Sequence, residues 1–144
     1  MPNFTGQLKG SSTSQTIVSI NDKPDHVLML SVNHSHQTCS DPHFNNIRQS
    51  SWGTADLTRG AGKQHGYFVA EHSNGDQSCG TYECSVNTVN GQLTMEGRWQ
   101  YTHGTGQFEG IQGNGTFKGR QLSPSTSEIT FDGNYQLKSG TRAA

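Results

Sequence analysis

Residues Gln92 to Tyr101 alternate without a break. Leu93, Met95, Gly97, Trp99 and Tyr101 hold the odd positions, and Gln92, Thr94, Glu96, Arg98 and Gln100 hold the even ones. Residues 128–137 do it again, with Ile129, Phe131, Gly133, Tyr135 and Leu137 set against Glu128, Thr130, Asp132, Asn134 and Gln136. A period of two puts each set on its own face of a strand, one apolar and one wet. No stretch carries a convincing apolar stripe at the helical period. Such a chain is constrained to antiparallel sheet with one face buried.

The remaining segments are read on the same basis. Phe4 to Lys9 opens the sheet, and Thr16 to Ile20 forms a short strand that turns at residues 21–25. His26 to Val32 is apolar on both faces, as expected of a central or covered strand. Tyr67 to His72 and Thr81 to Val86 form a hairpin across Ser73 to Ser78, which contains Asn74-Gly75, and Asn90-Gly91 marks a second tight turn. Ser35 to Gly62 is the least regular part and reads as a long loop, with a strand around Ser51 to Leu57. The total is eight or nine short strands in one domain spanning residues 1–144. The expected fold class is all-β, a closed eight-stranded antiparallel up-and-down barrel. Closure is favoured because few lysines are present to blunt open edges.

Composition removes several functions. Apolar residues make up 28% of the 144, charged residues 15%, and the net charge is −1. Disorder needs low hydrophobicity together with high net charge, so this balance argues for a folded chain rich in turns. Ten scattered Lys and Arg give no footprint for a phosphate backbone, so no nucleic-acid partner is expected. No apolar run approaches the length of a membrane helix, and no membrane partner is expected. The segment Met1-Pro2-Asn3-Phe4-Thr5-Gly6 has neither a basic nor an apolar leader character, which makes a cytoplasmic location the default expectation. Three cysteines, Cys39, Cys79 and Cys84, cannot all pair, so reduced thiols are expected, with a Cys79–Cys84 bridge as the alternative. His34, His36, Cys39 and His43 cluster in sequence, but their spacing matches no standard zinc pattern. Solvated loop histidines are the stronger reading, and no metal is assigned.

Residues 104–119 contain a near repeat. Gly104-Thr105-Gly106-Gln107-Phe108-Glu109-Gly110 is followed by Gly113-Asn114-Gly115-Thr116-Phe117-Lys118-Gly119. Neither copy is a dinucleotide fingerprint, no helical pattern follows, and no phosphate-loop lysine is present, so no cofactor is expected. Both copies read as glycine-rich strand, and antiparallel pairing of the two would bring Glu109 near Lys118. The run His103-Gly104-Thr105-Gly106-Gln107-Phe108-Glu109-Gly110-Ile111-Gln112-Gly113 resembles the glycine-rich hairpin of the allene oxide cyclase family and its barrel relatives, with small bacterial members nearer in kind than the plant enzymes. It departs at His103, where the family usually has glycine. The resemblance implies an eight-stranded barrel with an apolar cavity, often in oligomers, so a homo-oligomer is an expectation here. The cyclases' catalytic glutamate does not align with this chain, so catalytic roles do not transfer.

The expected function is therefore binding of a small apolar molecule inside the barrel, with cofactor-independent isomerase or cyclase chemistry as one outcome. Confinement of a flexible substrate away from water would supply the rate. Such chemistry needs an inward ionisable group. Glu71 and Glu83 on the 67–86 hairpin are the catalytic candidates, with Asp56 behind them; Glu71 acts only if the face it shares with Tyr67 and Val69 points inward. Tyr67, Trp99, Tyr101, Phe131 and Tyr135 are the candidate ligand-binding residues. The alternatives are a lipocalin-like carrier or sensor without chemistry, and a filled structural barrel. A cavity without an inward carboxylate or imidazole favours the carrier; the absence of a cavity favours the filled barrel.

Overall fold

In a computed structural model, which describes residues 3–138, eight antiparallel strands close in sequence order into an up-and-down barrel, with β8 hydrogen-bonded back to β1. The strands are β1 (Asn3–Ser19), β2 (His26–Cys39), β3 (Ile47–Thr58), β4 (Ala61–Glu71), β5 (Gln77–Val89), β6 (Gln92–Gly104), β7 (Gln112–Ser123) and β8 (Thr126–Gln136). Two single 3₁₀ turns, Pro42–Phe44 and Gly106–Phe108, interrupt the loops at one end. Among the described residues no helix is long and apolar enough to cross a membrane.

The alternation at 92–101 and 128–137 sets the facing of β6 and β8. Trp99 and Tyr135 are buried, Tyr101 and Phe131 are partly buried within the barrel, and Glu96, Arg98, Thr130 and Asp132 are exposed. Small residues make room for these rings. A Cβ on Gly133 would overlap the Trp99 ring, and one on Gly6 would overlap Phe131. Asn90-Gly91 makes the expected two-residue turn, with both residues at positive φ (52° and 78°), the geometry that matches strand twist.

The structure departs from the sequence reading in four places. The 35–62 region is mostly strand: β2 runs on to Cys39, and the strand expected around Ser51 to Leu57 is present but starts earlier, as β3 at Ile47–Thr58, where the polar inward residues Gln49 and Ser51 hide the alternation. Phe4–Lys9 and Thr16–Ile20 largely belong to one strand of 17 residues, offset by an irregularity between Ser12 and Ser14. His26–Val32 is not covered outside: Leu28 and Leu30 are 45% and 51% exposed. The first glycine copy is loop rather than strand. Its 3₁₀ turn sends Phe108 into the core, Glu109 makes no pair with Lys118, and Lys118 lies instead 3.9 Å from Glu96 across β6.

Candidate functional site

The two ends of the barrel differ, and the difference follows from where the aromatic residues lie. At the end formed by residues 40–46, 72–76 and 105–111, Phe44 and Phe108 are fully buried. Phe44 packs on Phe4 (5.1 Å between centroids), Tyr135 (4.9 Å) and Phe108 (5.5 Å). Polar pins hold this floor. The Gln37 amide donates to the Phe44 carbonyl (2.9 Å), and the Tyr135 hydroxyl donates to Asp41 Oδ2 (2.7 Å). Asp41 also receives the His43 backbone N–H (2.9 Å) as the cap of the first 3₁₀ turn. Burial works against the Asp41 charge, but the hydrogen bonds from Tyr135 and His43 outweigh it and hold the carboxyl below its ordinary range.

His72 completes the floor. It follows β4 directly and is buried, stacked on Phe108 at 3.9 Å. Its Nδ1 lies 2.8 Å from the His43 carbonyl, which only accepts, so Nδ1 carries the proton and Nε2 accepts from the Ser78 hydroxyl at 2.9 Å. Burial pushes the imidazole's pKa down, against the opposing pull of the His43 carbonyl. Ser78 is fully buried, and the Ser–His pair is part of the closed floor.

Above the floor the barrel is hollow. A cavity of about 730 Å³ runs to the turns at residues 90–91 and 122–126, within the size range of small-molecule sites. One wall is apolar: Leu93, Met95, Trp99, Phe117, Ile129 and Phe131 from β6 to β8. The opposite wall, from β1 to β5, is mixed: Leu8, Met29, Leu57 and Phe68 stand among amides and hydroxyls that include Ser31, Asn33, Gln49, Ser51, Gln64 and Tyr82. The Gln64 amide donates to the Tyr82 hydroxyl (3.3 Å), and burial pushes the pKa of that phenol up to about 12. Tyr101 also lines the cavity, its phenol pKa raised by burial. Among the described residues no Asp, Glu, Lys, Arg or His lines the cavity.

Of the residues singled out in the sequence, Trp99, Tyr101 and Phe131 come together on the cavity wall, and Tyr135 lies below them in the floor. Tyr67 and Glu71 do not join them. Phe68 and Ala70 take the inner face of β4, because Gly80 opposite leaves room for the Phe68 ring beside Trp99 and Tyr101. Tyr67 is therefore 64% exposed, and Glu71 points outward with it. Glu83 is outward too, paired with Arg98 at 2.7 Å. Asp56 stands outside at the opposite end, where His26 bridges it and Asp22, both at 2.6 Å. His34 and His36 share the outer face of β2, next to Ser50 and Asn46. Among the described residues no group of three His, Cys, Asp or Glu is placed to hold a metal, and the three cysteines are free. Sequence reasoning missed the floor residues Phe44, Phe108 and His72, and the whole polar wall. The polar wall did carry a signal: Gln49 and Ser51 share the parity of Ala55 and Leu57. No family model, no curated protein and no solved structure matches the chain.

Proposed function

We propose that the protein is a carrier or sensor that holds an uncharged small molecule with one apolar and one hydrogen-bonding face. The observation that carries this reading is the lining: a cavity of about 730 Å³ whose aromatic and aliphatic surface is interrupted on the β1–β5 side by amides and hydroxyls, with no charged side chain among the described lining residues. A charged ligand would lose its hydration there without a counter-charge, a cost of several kcal/mol that neutral ligands escape. An apolar body against Trp99, Phe117 and Phe131, with hydroxyl or carbonyl groups towards Gln49, Ser51 and Gln64, meets both walls. Isomerase or cyclase chemistry is the weaker reading, since Glu71, Glu83 and Asp56 stand outside and the inward acids are buried phenols. The hairpin at residues 103–113 adds support for a ligand-holding barrel of the allene oxide cyclase-like type.

The test uses the two tryptophans. Trp52 is on the outer surface and Trp99 is in the wall. In a Trp52→Phe background, titration with the neutral dye Nile red is expected to quench Trp99 emission and saturate at one site. Ser31→Tyr, which fills the cavity, is expected to weaken this about tenfold or more. Glu71→Gln is expected to leave it unchanged. An intact fold with no saturable binding, or binding that ignores Ser31→Tyr, refutes the reading.

A further inference from the structure

β1 is longer than its partner on one side. It pairs with β8 from Asn3 to Ser11, and Ser12 N–H reaches the Ser125 carbonyl at 2.8 Å. Beyond that point, among the described residues, only β2 pairs with it. Every residue from Thr13 to Ser19 is exposed. The other edge of this segment is therefore open, and its polar groups can be assigned. Ile20 N–H donates to the His26 carbonyl (2.8 Å). By the alternation of antiparallel ladders, Val18, Thr16 and Ser14 also face their backbone groups towards β2, while Ser19, Ile17 and Gln15 aim theirs away.

Natural proteins guard such edges with charge, proline or covering chain. Here the run Gly10 to Ile20 contains no charged residue and no proline. It is rich in β-formers, and its apolar residues show on both faces: Ile17 is 59% and Val18 52% exposed. The patch continues over the outer face of β2 through Leu28 and Leu30. We infer that the β1 edge at Gln15–Ser19 is the site of self-association, in which a second copy of this chain adds its own β1 antiparallel across a two-fold axis. A second copy suits the edge because the segment is neutral, so copies do not repel. An isologous contact also presents the same outward donors and acceptors from both sides, so each edge satisfies the other. The sheet would then run continuously from one barrel into the next, with Val18 and Ile17 gaining cross-strand neighbours.

The test rests on the assignment of the outward N–H groups. Gln15→Pro removes a donor that faces the open edge and leaves the β1–β2 ladder intact, whereas Ile17→Lys places a charge opposite its own copy. Sedimentation velocity of the full chain over a wide concentration range is expected to show reversible dimers, with a dissociation constant about tenfold or more higher in either variant. Hydrogen exchange followed by NMR is expected to show the Gln15, Ile17 and Ser19 amides gaining protection as wild-type concentration rises, without change at Tyr67. Circular dichroism confirms that each variant is folded. Monomers at every concentration overturn the inference, as do dimers untouched by both variants or open-edge amides whose protection is independent of concentration.

Discussion

The Tyr135→Phe substitution tests how the closed end is held. Tyr135 is 6% exposed and donates to Asp41 Oδ2 at 2.7 Å, joining β8 to the 40–46 loop across 94 positions of sequence. The Asp41 side chain is 13% exposed, and its other oxygen is engaged by the His43 backbone N–H at 2.9 Å and ring Nδ1 at 3.2 Å. Removing the hydroxyl leaves Oδ2 of a mostly buried carboxylate short of a donor. A hydrogen bond to a charged group contributes about 1.5–3 kcal/mol, and the phenyl ring keeps its packing on Phe4 and Phe44, so the expected loss at neutral pH is about 2 kcal/mol. Hydrogen bonds hold the Asp41 carboxyl below its ordinary range against the effect of burial. A carboxyl depressed in this way contributes stability above its unfolded pKa of about 3.9 and loses it as pH falls through the folded value. The substitution should therefore cost less in acid, about 1 kcal/mol or below, where the protonated group is a weaker acceptor. Urea unfolding of wild type and variant at neutral and strongly acidic pH measures both numbers. The Asp41→Asn variant closes the cycle and should couple to Tyr135→Phe by more than about 0.5 kcal/mol. A loss that is the same at both pH values, or additive single variants, would refute the account of Asp41 as the charged acceptor.

Three further outcomes follow from other buried and titratable groups of the barrel. Phe44→Ala removes a fully buried ring that touches Phe4, Phe108 and Tyr135, and should lower stability by about 3–5 kcal/mol in urea unfolding. Burial favours neutral His72 in the folded state, so the unfolded chain takes up the proton first and His72 should lower stability as pH falls below about 6.5. The hydrogen bonds that His26 donates to the Asp22 and Asp56 carboxylates raise its pKa, which gives the opposite sign, stability lost as pH rises; the acid-limb loss should therefore steepen in His26→Gln, seen by calorimetry across that range. Burial raises the pKa of all three thiols, that of Cys84 to about 11, but only Cys39 is partly accessible, so a disulfide reagent at mildly alkaline pH should label Cys39 first and the other two only on unfolding.

What could be read from the sequence depended on how strongly each strand separates its two faces. In β6 and β8 large apolar residues alternate with charged ones, so strand, facing and the closed barrel followed directly. In β3 the inward row mixes Ile47 and Leu57 with Gln49, Ser51 and Gly53, while the outward row holds Trp52. Hydrophobicity there no longer reports direction, and only its second half, Ser51 to Leu57, read as strand. β4 carries an apolar or aromatic residue on each parity, Tyr67 and Val69 against Phe68 and Ala70. Only the room over Gly80 decides that Phe68 goes in, and that contact lies on another strand. The same ambiguity put Glu71 among the catalytic candidates. The floor was invisible for a different reason. Phe44 and Phe108 sit in short 3₁₀ turns whose direction comes from tertiary contacts and not from any period.

The low apolar content then acquires a structural meaning. A barrel of eight strands has an interior that side chains can fill, and filling it takes an inward row of large residues on every strand. This chain has them on β6, β7 and β8, and concentrates its other rings at the closed end with Phe4, Phe44 and Phe108. Along β1, β2 and β3 the inward rows intersperse Leu8, Met29 and Leu57 with Ser12, Ser31, Asn33, Gln49 and Ser51, and these five are too short or too polar to pack against Trp99 and Phe131 across the lumen. A void lined by amides as well as rings is what remains where these short and polar residues interrupt the inward apolar rows. Restoring them is the converse experiment. Ser31→Leu combined with Ser51→Leu should raise the unfolding temperature by adding buried apolar surface and at the same time weaken Nile red binding. A gain in stability with binding intact would place the dye outside the barrel and remove the cavity from the function.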